Sequence, residues 1–219
     1  MKYTHLIISR VNIKWREQSK DENWLRDRIA IMNKTIRPSI EGQTNKNFKF
    51  ITLWGYDPID VIDNEYPIKI ETVGLKKIYF ELLEKLKDFI DEENVLVTRI
   101  DSDNCLGNDF VEVLQKNIRE TDLPFYYDIP KLYFYHMITK QKRIWTFEFT
   151  SGCISIMEKS SDFKCIPYQH SHGKIGTIVN GIRVDGLDTL INIHGGNLSA
   201  HMLGQKKVDF NLDKFNLKL

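Results

Sequence analysis

Cysteine is scarce in this chain: Cys105, Cys153 and Cys165 form an odd set with no CxxC spacing. That argues against a disulfide framework and a structural zinc site, and fits three buried thiols in a reducing cytoplasm. Long apolar runs are missing too; none approaches the ~20 residues of a transmembrane helix. Met1 to Arg10 has one lysine, a brief apolar run and no small-residue cleavage site, so it reads as a strand, not a signal peptide. A cytoplasmic location without a transmembrane segment is expected, with peripheral membrane contact left open. Charge of one sign is also absent. Thirty-one basic and thirty acidic side chains leave +1, and lysines are interleaved with acids, so no nucleic-acid partner is expected. There is no internal repeat, low-complexity tract or linker.

What is present suffices for a core. The chain has 219 residues, 42% of them apolar, with twelve Phe, nine Tyr and four Trp. One domain is expected: a ligand-binding half over about 1–123, a second half over about 124–204, and a polar tail over 205–219.

Tyr3 to Ser9 reads as a buried strand. Trp24, Leu25, Ile29, Met32 and Ile36 recur at spacings of three and four, an amphipathic helix ending before Pro38. Phe48 to Trp54 and Pro67 to Val73 read as strands, and Lys76 to Glu92 as a helix with a solvated charged face. Val95 to Ile100 is a further strand and Asp109 to Arg119 a helix. This alternation predicts an α/β fold with a mostly parallel sheet flanked by helices. Beyond Pro124, Leu132 to Thr139 and Arg143 to Thr150 read as an antiparallel hairpin, with Cys153 to Met157 as its third strand. A smaller antiparallel β element in the C-terminal half follows. Ser160 to Gly186 reads as loop, and Leu187 to Ile193 as a last strand before His194-Gly195-Gly196-Asn197. The tail is expected to pack on the surface or fray.

The chemistry-bearing stretch is Arg99-Ile100-Asp101-Ser102-Asp103-Asn104. A buried strand runs into two carboxylates that would repel each other unless a cation relieves the cost. Ligands of open α/β sheets bind at the carboxyl ends of strands. Mg²⁺ or Mn²⁺ takes oxygen ligands and shares them with substrate phosphates. Chance occurrence of D-x-D near a helix start competes with this reading. An EF-hand loop fails, because Leu106 stands where that loop needs glycine and a strand precedes it. An aspartyl-phosphate site fails because Ser9-Arg10, after the first strand, supplies no aspartate. A nucleotidyltransferase would need a Gly-rich loop after the first strand, and Ser9 to Lys20 contains no glycine.

These residues, taken in order, resemble a known family. Ser9-Arg10 at the end of the first strand is followed by Trp24-Leu25 with Arg28, then by Pro38-Ser39-Ile40 and Gln43-Thr44. Phe48 to Trp54, Thr98 to Asn104 with Asp109-Phe110, and Ile193 to Asn197 complete the set. Over roughly residues 3 to 200 the chain is similar to the bacterial rhamnosyltransferases within the GT-A-type glycosyltransferases. The resemblance implies a GT-A-like, Rossmann-like fold and a metal-dependent transfer of sugar from a nucleoside-diphosphate donor to a glycan or other hydroxyl acceptor, in surface-glycan assembly. It implies a divalent cation on Asp103, with Asp101 on metal or ribose and Ser102 at the donor. Ser9 and Arg10 would flank base or ribose, and Arg99 would steady the nucleotide or the carboxylates. His194 is a third candidate metal ligand, against the plainer alternative of satisfying a loop carbonyl. Asn104 stands where a further Asp is usual, which leaves its part in metal binding in doubt. His170 and His172 form an HxH pair read as surface loop.

An inverting reaction would need a carboxylate base. Glu148, in the run Trp145-Thr146-Phe147-Glu148-Phe149, and Asp185 are the candidates, with Asp162 considered beside them. A non-catalytic nucleotide- or sugar-binding protein on the same scaffold is the alternative.

Overall fold

The computed structural model describes residues 1–13, 22–146, 153–195 and 206–218. The strand β1 (Thr4–Arg10) leads towards α1 (Glu22–Met32), α2 (Ile36–Glu41), β2 (Lys49–Trp54), β3 (Glu65–Lys69), α3 (Leu75–Lys87) and β4 (Asn94–Asp101). After β5 (Cys105–Leu106) come α4 (Phe110–Lys116), β6 (Phe125–Asp128), β7 (Lys131–His136), β8 (Lys142–Thr146) and β9 (Ile154–Lys159). The chain continues with α5 (Ile166–Gln169), α6 (His172–Ile178), β10 (Asn180–Arg183), β11 (Thr189–Ile193) and β12 (Lys206–Lys207).

Among the described residues, seven strands form one sheet in the order β10-β6-β9-β4-β1-β2-β3. Its centre is parallel: β1 pairs with both β2 and β4, and β2 with β3. The near-continuous apolar runs of β1 and β4 suit strands covered on both faces. Ile7, Leu96 and Ile100 pack under α1, α2 and α4. Leu6, Ile8, Val95 and Val97 face the other way, towards Ile78, Leu82 and Leu86 of α3. Those three recur every fourth residue, so each buries about 1.5–3 kcal/mol worth of side chain on one stripe.

The α/β reading and the mostly parallel sheet hold; several elements differ in bounds or partners. The first amphipathic helix stops at Met32, and Ile36 opens a second helix that contains Pro38 as its third residue. That position has no intrahelical N–H partner, so proline loses nothing there. The strand expected from Pro67 is β3, which begins two residues earlier and lies at the sheet edge, where proline is tolerated. The long helix ends at Lys87, not Glu92.

The largest correction is β9. The hairpin β7–β8 is antiparallel as expected, but β9 leaves it and inserts antiparallel between β4 and β6 in the first sheet. The second sheet, β12-β8-β7-β11-β5, is mixed, since β11 runs parallel to β7. Ser160 to Gly186, read as loop, contains α5, α6 and β10, with His170 closing α5. The tail does not fray: Phe215 is fully buried against Tyr133 and Phe210. All three cysteines are free and buried. Among the described residues no helix is long and apolar enough to cross a membrane.

Candidate active site at the junction of the two sheets

The Asp101–Asn104 segment is a turn, closed by the Asn104 N–H donating to the Asp101 carbonyl at 3.1 Å. It carries the chain from β4 in the first sheet to β5 in the second, which places both carboxylates on the C-terminal rim of the parallel strands. The turn is held from two sides. Thr35 donates its hydroxyl to the Ser102 carbonyl at 3.3 Å. Asn192, inside β11, donates from Nδ2 to the Asp103 carbonyl at 2.8 Å. The Asn104 side-chain oxygen accepts the Asn192 N–H at 3.4 Å, so this Asn serves the turn.

Pairing of Arg10 with Asp101 across β1 and β4 puts them on one face, where Arg10 Nη2 donates to Asp101 Oδ1 at 2.8 Å. Asp101 is exposed and Asp103 buried. Arg28 of α1, its guanidinium 5.1 Å from the Trp24 ring centroid, donates from Nη1 to Asp103 Oδ2 at 2.8 Å. His194, just past β11, brings Nε2 to 3.3 Å of the same oxygen. Burial alone would raise the Asp103 carboxyl, yet the hydrogen bonds and charges of His194 and Arg28 together hold it below the usual carboxylate range. Residues 91 positions apart, which the sequence offered as metal ligands, are thus neighbours.

Arg99 stands two residues before Asp101 on the same face. It donates to the Pro167 carbonyl at 3.2 Å, and its guanidinium lies 5.5 Å from the Tyr168 ring centroid. Among the described residues no carboxylate lies within ion-pair distance of it, and its Nε has no hydrogen-bond partner. Desolvation first, then the neighbouring Arg10 charge, lower its affinity for a proton. Two further buried polar atoms end without partners at this rim: Ser9 Oγ and Asn12 Nδ2, the latter in a side chain whose oxygen accepts from Gly55 N at 2.9 Å. Orphaned buried groups of this kind point to a ligand that satisfies them. Asn12 and Arg28 were not assigned site roles from sequence; only their place at the rim reveals them.

Of the candidate bases, Asp185 is exposed in the turn between β10 and β11. Glu148 lies outside the described residues, and Asp162 is exposed and paired with Lys164. A groove of about 460 Å³ lined by Lys140, Lys142, Lys207 and Asp209 runs beside the second sheet and includes none of the rim residues.

Residues 14–206 match the family described as "Putative rhamnosyl transferase". The chain belongs to that family. The match spans both sheets and includes Arg28, Arg99, Asp101, Asp103 and His194. A solved structure, the "putative nucleotide-diphospho-sugar transferase" of Desulfovibrio desulfuricans G20, is similar over 87% of this chain and 81% of its own, at 9% identity and a TM-score of 0.41. No curated protein matches.

Two observations bear on whether this rhamnosyltransferase-family rim suits a divalent cation. Asp103 Oδ2 and His194 Nε2 stand 3.3 Å apart, close to the roughly 3 Å that separates adjacent ligands of an ion bound at about 2.1 Å. Among the described residues, however, no group of three His, Cys, Asp or Glu side chains gathers at one point. A two-ligand protein site suits Mg²⁺ or Mn²⁺ only where substrate phosphates and water complete the shell, as is usual for these ions.

Proposed function

We propose that this protein transfers a sugar, rhamnose by the family's description, from a nucleoside-diphosphate donor to a hydroxyl acceptor. The observation that carries the reading is the rim itself: Arg10 pairs with Asp101 and Arg28 with Asp103, while among the described residues Arg99, beside Asp101, has no carboxylate within ion-pair distance. A planar guanidinium fork matches phosphate oxygens and stays charged when partly buried. Among the described residues three such groups stand against two carboxylates, a balance that suits a diphosphate.

Asp103 and His194 are the residues that would hold Mn²⁺ or Mg²⁺, with Asp101 beside them. The bound cation would supply Lewis-acid stabilisation of charge on the departing diphosphate. Arg28 donates to Asp103 Oδ2, the oxygen that would take the cation, so Arg28 is the residue that would be released to bind the donor phosphates. Ser9 and Asn12 supply the unfilled hydrogen bonds to the nucleoside. Transfer forms the bond between acceptor oxygen and anomeric carbon and breaks that between the carbon and the diphosphate. The acceptor proton goes to a carboxylate, for which Asp185 and Glu148 remain the candidates.

Calorimetry with UDP, dTDP, GDP and CDP, each with and without Mn²⁺, tests the reading. One of them binds the wild type with Mn²⁺ dependence, and Asp103→Ala loses roughly 100-fold or more in that affinity, as expected when a charged ligand set is dismantled. Failure of all four to bind would sink the proposal. Unchanged Mn²⁺ dependence in Asp103→Ala would move the cation elsewhere.

A further inference from the structure

The start of α3 departs from the rules that the rest of that helix obeys. Free N–H groups give a helix start partial positive charge, which favours a capping side chain and acidic residues in the first turn. Here the cap is Gly74, at φ 95° and without a side-chain cap bond, and the first turn has no acid. Lys76 and Lys77 stand there instead, both exposed. The later lysines of α3, Lys85 and Lys87, are paired with Glu81 and Glu84; among the described residues Lys76 and Lys77 have no such partner. Glu81 is committed inwards as well, accepting the N–H groups of Glu71 and Thr72 and the Thr72 hydroxyl. Glu71, next to this corner, is exposed.

Large apolar side chains share the corner. Val73 is 64% exposed, Leu75 66% and Phe80 54%. Leu75 lies one turn from Tyr79, whose ring meets that of Phe80 at 5.6 Å, so they form one surface. A Cβ added to Gly74 would meet nothing within 4 Å, so the corner projects into open space and forms no groove. An exposed apolar patch of this kind marks an interaction site. Projecting apolar side chains interleaved with unpaired lysines complement an anionic lipid surface: the former enter the headgroup boundary, the latter meet phosphates. A protein partner fits less well, since lysine is depleted in protein interfaces.

We propose that Val73, Leu75 and Phe80 with Lys76 and Lys77 dock this protein onto an anionic bilayer. Because α3 follows β3, which runs parallel to β1, β2 and β4, its start lies on the same rim as Arg10 and Asp101. Docking therefore turns the candidate donor site towards the lipid surface, where an acceptor carried on a lipid would be met. That consequence rests on the glycosyl-transfer reading; the docking does not.

The test is co-sedimentation of the full chain with vesicles of phosphatidylglycerol and phosphatidylcholine in equal parts, against phosphatidylcholine alone. The wild type binds the anionic vesicles and is released by salt. Lys76→Glu with Lys77→Glu lowers the partition at least about 25-fold, taking roughly five-fold for each lysine near the surface. Leu75→Ser with Phe80→Ser lowers it on anionic vesicles by about tenfold or more. Both variants keep the wild-type melting temperature and nucleoside-diphosphate affinity, which separates failure of docking from failure of the donor site. A wild type that stays in the supernatant with anionic vesicles overturns the proposal, as do variants that bind like the wild type. Light scattering that finds a wild-type dimer dissolved by the apolar pair, without vesicle binding, assigns the patch to self-association instead.

Discussion

Two arginine–carboxylate clusters stand on the first sheet, and one is closed while the other is open. In the closed cluster, Arg37 of α2 and Glu65 of β3 meet at 3.0 Å with 2% and 0% of their side chains exposed. The protein supplies its partners: Asn33 and Asp60 accept from Arg37, Thr52 donates to Glu65, and Trp54 donates to Thr52, while Arg37 Nη2 has the Glu65 ion pair and no hydrogen bond. In the open cluster, Arg28, Asp103 and His194 meet at the C-terminal rim, Asp101 is half-exposed, and among the described residues no carboxylate lies within ion-pair distance of Arg99. A buried charge is tolerated when its partners are complete. The first cluster pairs its buried charges with each other and joins helix to edge strand; the second, among the described residues, leaves Arg99 outside any ion pair.

The sharpest way to break this comparison is to truncate one acid in each cluster. Glu65→Ala strands Arg37 in the core and should cost about 3–5 kcal/mol in denaturant melts. Asp103→Ala should cost only about 1–2 kcal/mol, because Arg28 and His194 at the rim regain water. Equal losses would erase the distinction between architecture and site.

Glu158 is a third kind of buried carboxylate, held among the described residues by backbone N–H groups and not by an arginine. It accepts the N–H groups of Lys164 and Ile166 at 2.9 Å, but burial outweighs those bonds and lifts its carboxyl from 4.5 to about 7. A raised carboxyl favours the folded state while protonated. Its contribution is therefore full below pH 4.5 and is lost as the pH rises to about 7, by up to roughly 3 kcal/mol. Glu158→Gln should flatten that decline when melting is followed across the window. An unchanged slope would remove Glu158 as its source.

The smallest effect concerns Arg28. If it competes with the cation for Asp103, Arg28→Ala should weaken nucleoside-diphosphate binding about tenfold, worth one charge-assisted hydrogen bond, while Mn²⁺ alone binds more tightly. Titration of the variant with Mn²⁺, then with the nucleotide, separates the two. Weaker binding of both would make Arg28 a support for the site and not a competitor within it.

Much of the site's polypeptide was legible because local pattern carries it. The apolar runs of β1 and β4, each ending in polar residues, marked the strand ends where Arg10, Asp101 and Asp103 sit. The spacing of Ile78, Leu82 and Leu86 marked the buried stripe of α3. Other features were hidden for a physical reason. Arg37 looks like any exposed helical arginine until Glu65, 28 residues on, is brought against it. β9 is recognisable as a strand, yet its neighbours are chosen by pairing with β4, about sixty positions away. Asn12 and Ser9 carry no spacing signal; their meaning lies in polar atoms left unsatisfied at a crowded rim.

By itself the sequence determined the α/β class, the parallel centre of the main sheet, the DxD turn and the near-even balance of charge, because hydrophobic periodicity and turn chemistry act over a few residues. Tertiary structure decided which sheet β9 joins, that His194 reaches Asp103, and that Arg28 and Arg99 face the same rim. Those are contacts between segments tens of residues apart, and their choice depends on closing loops and burying two sheets at once, which no local window records.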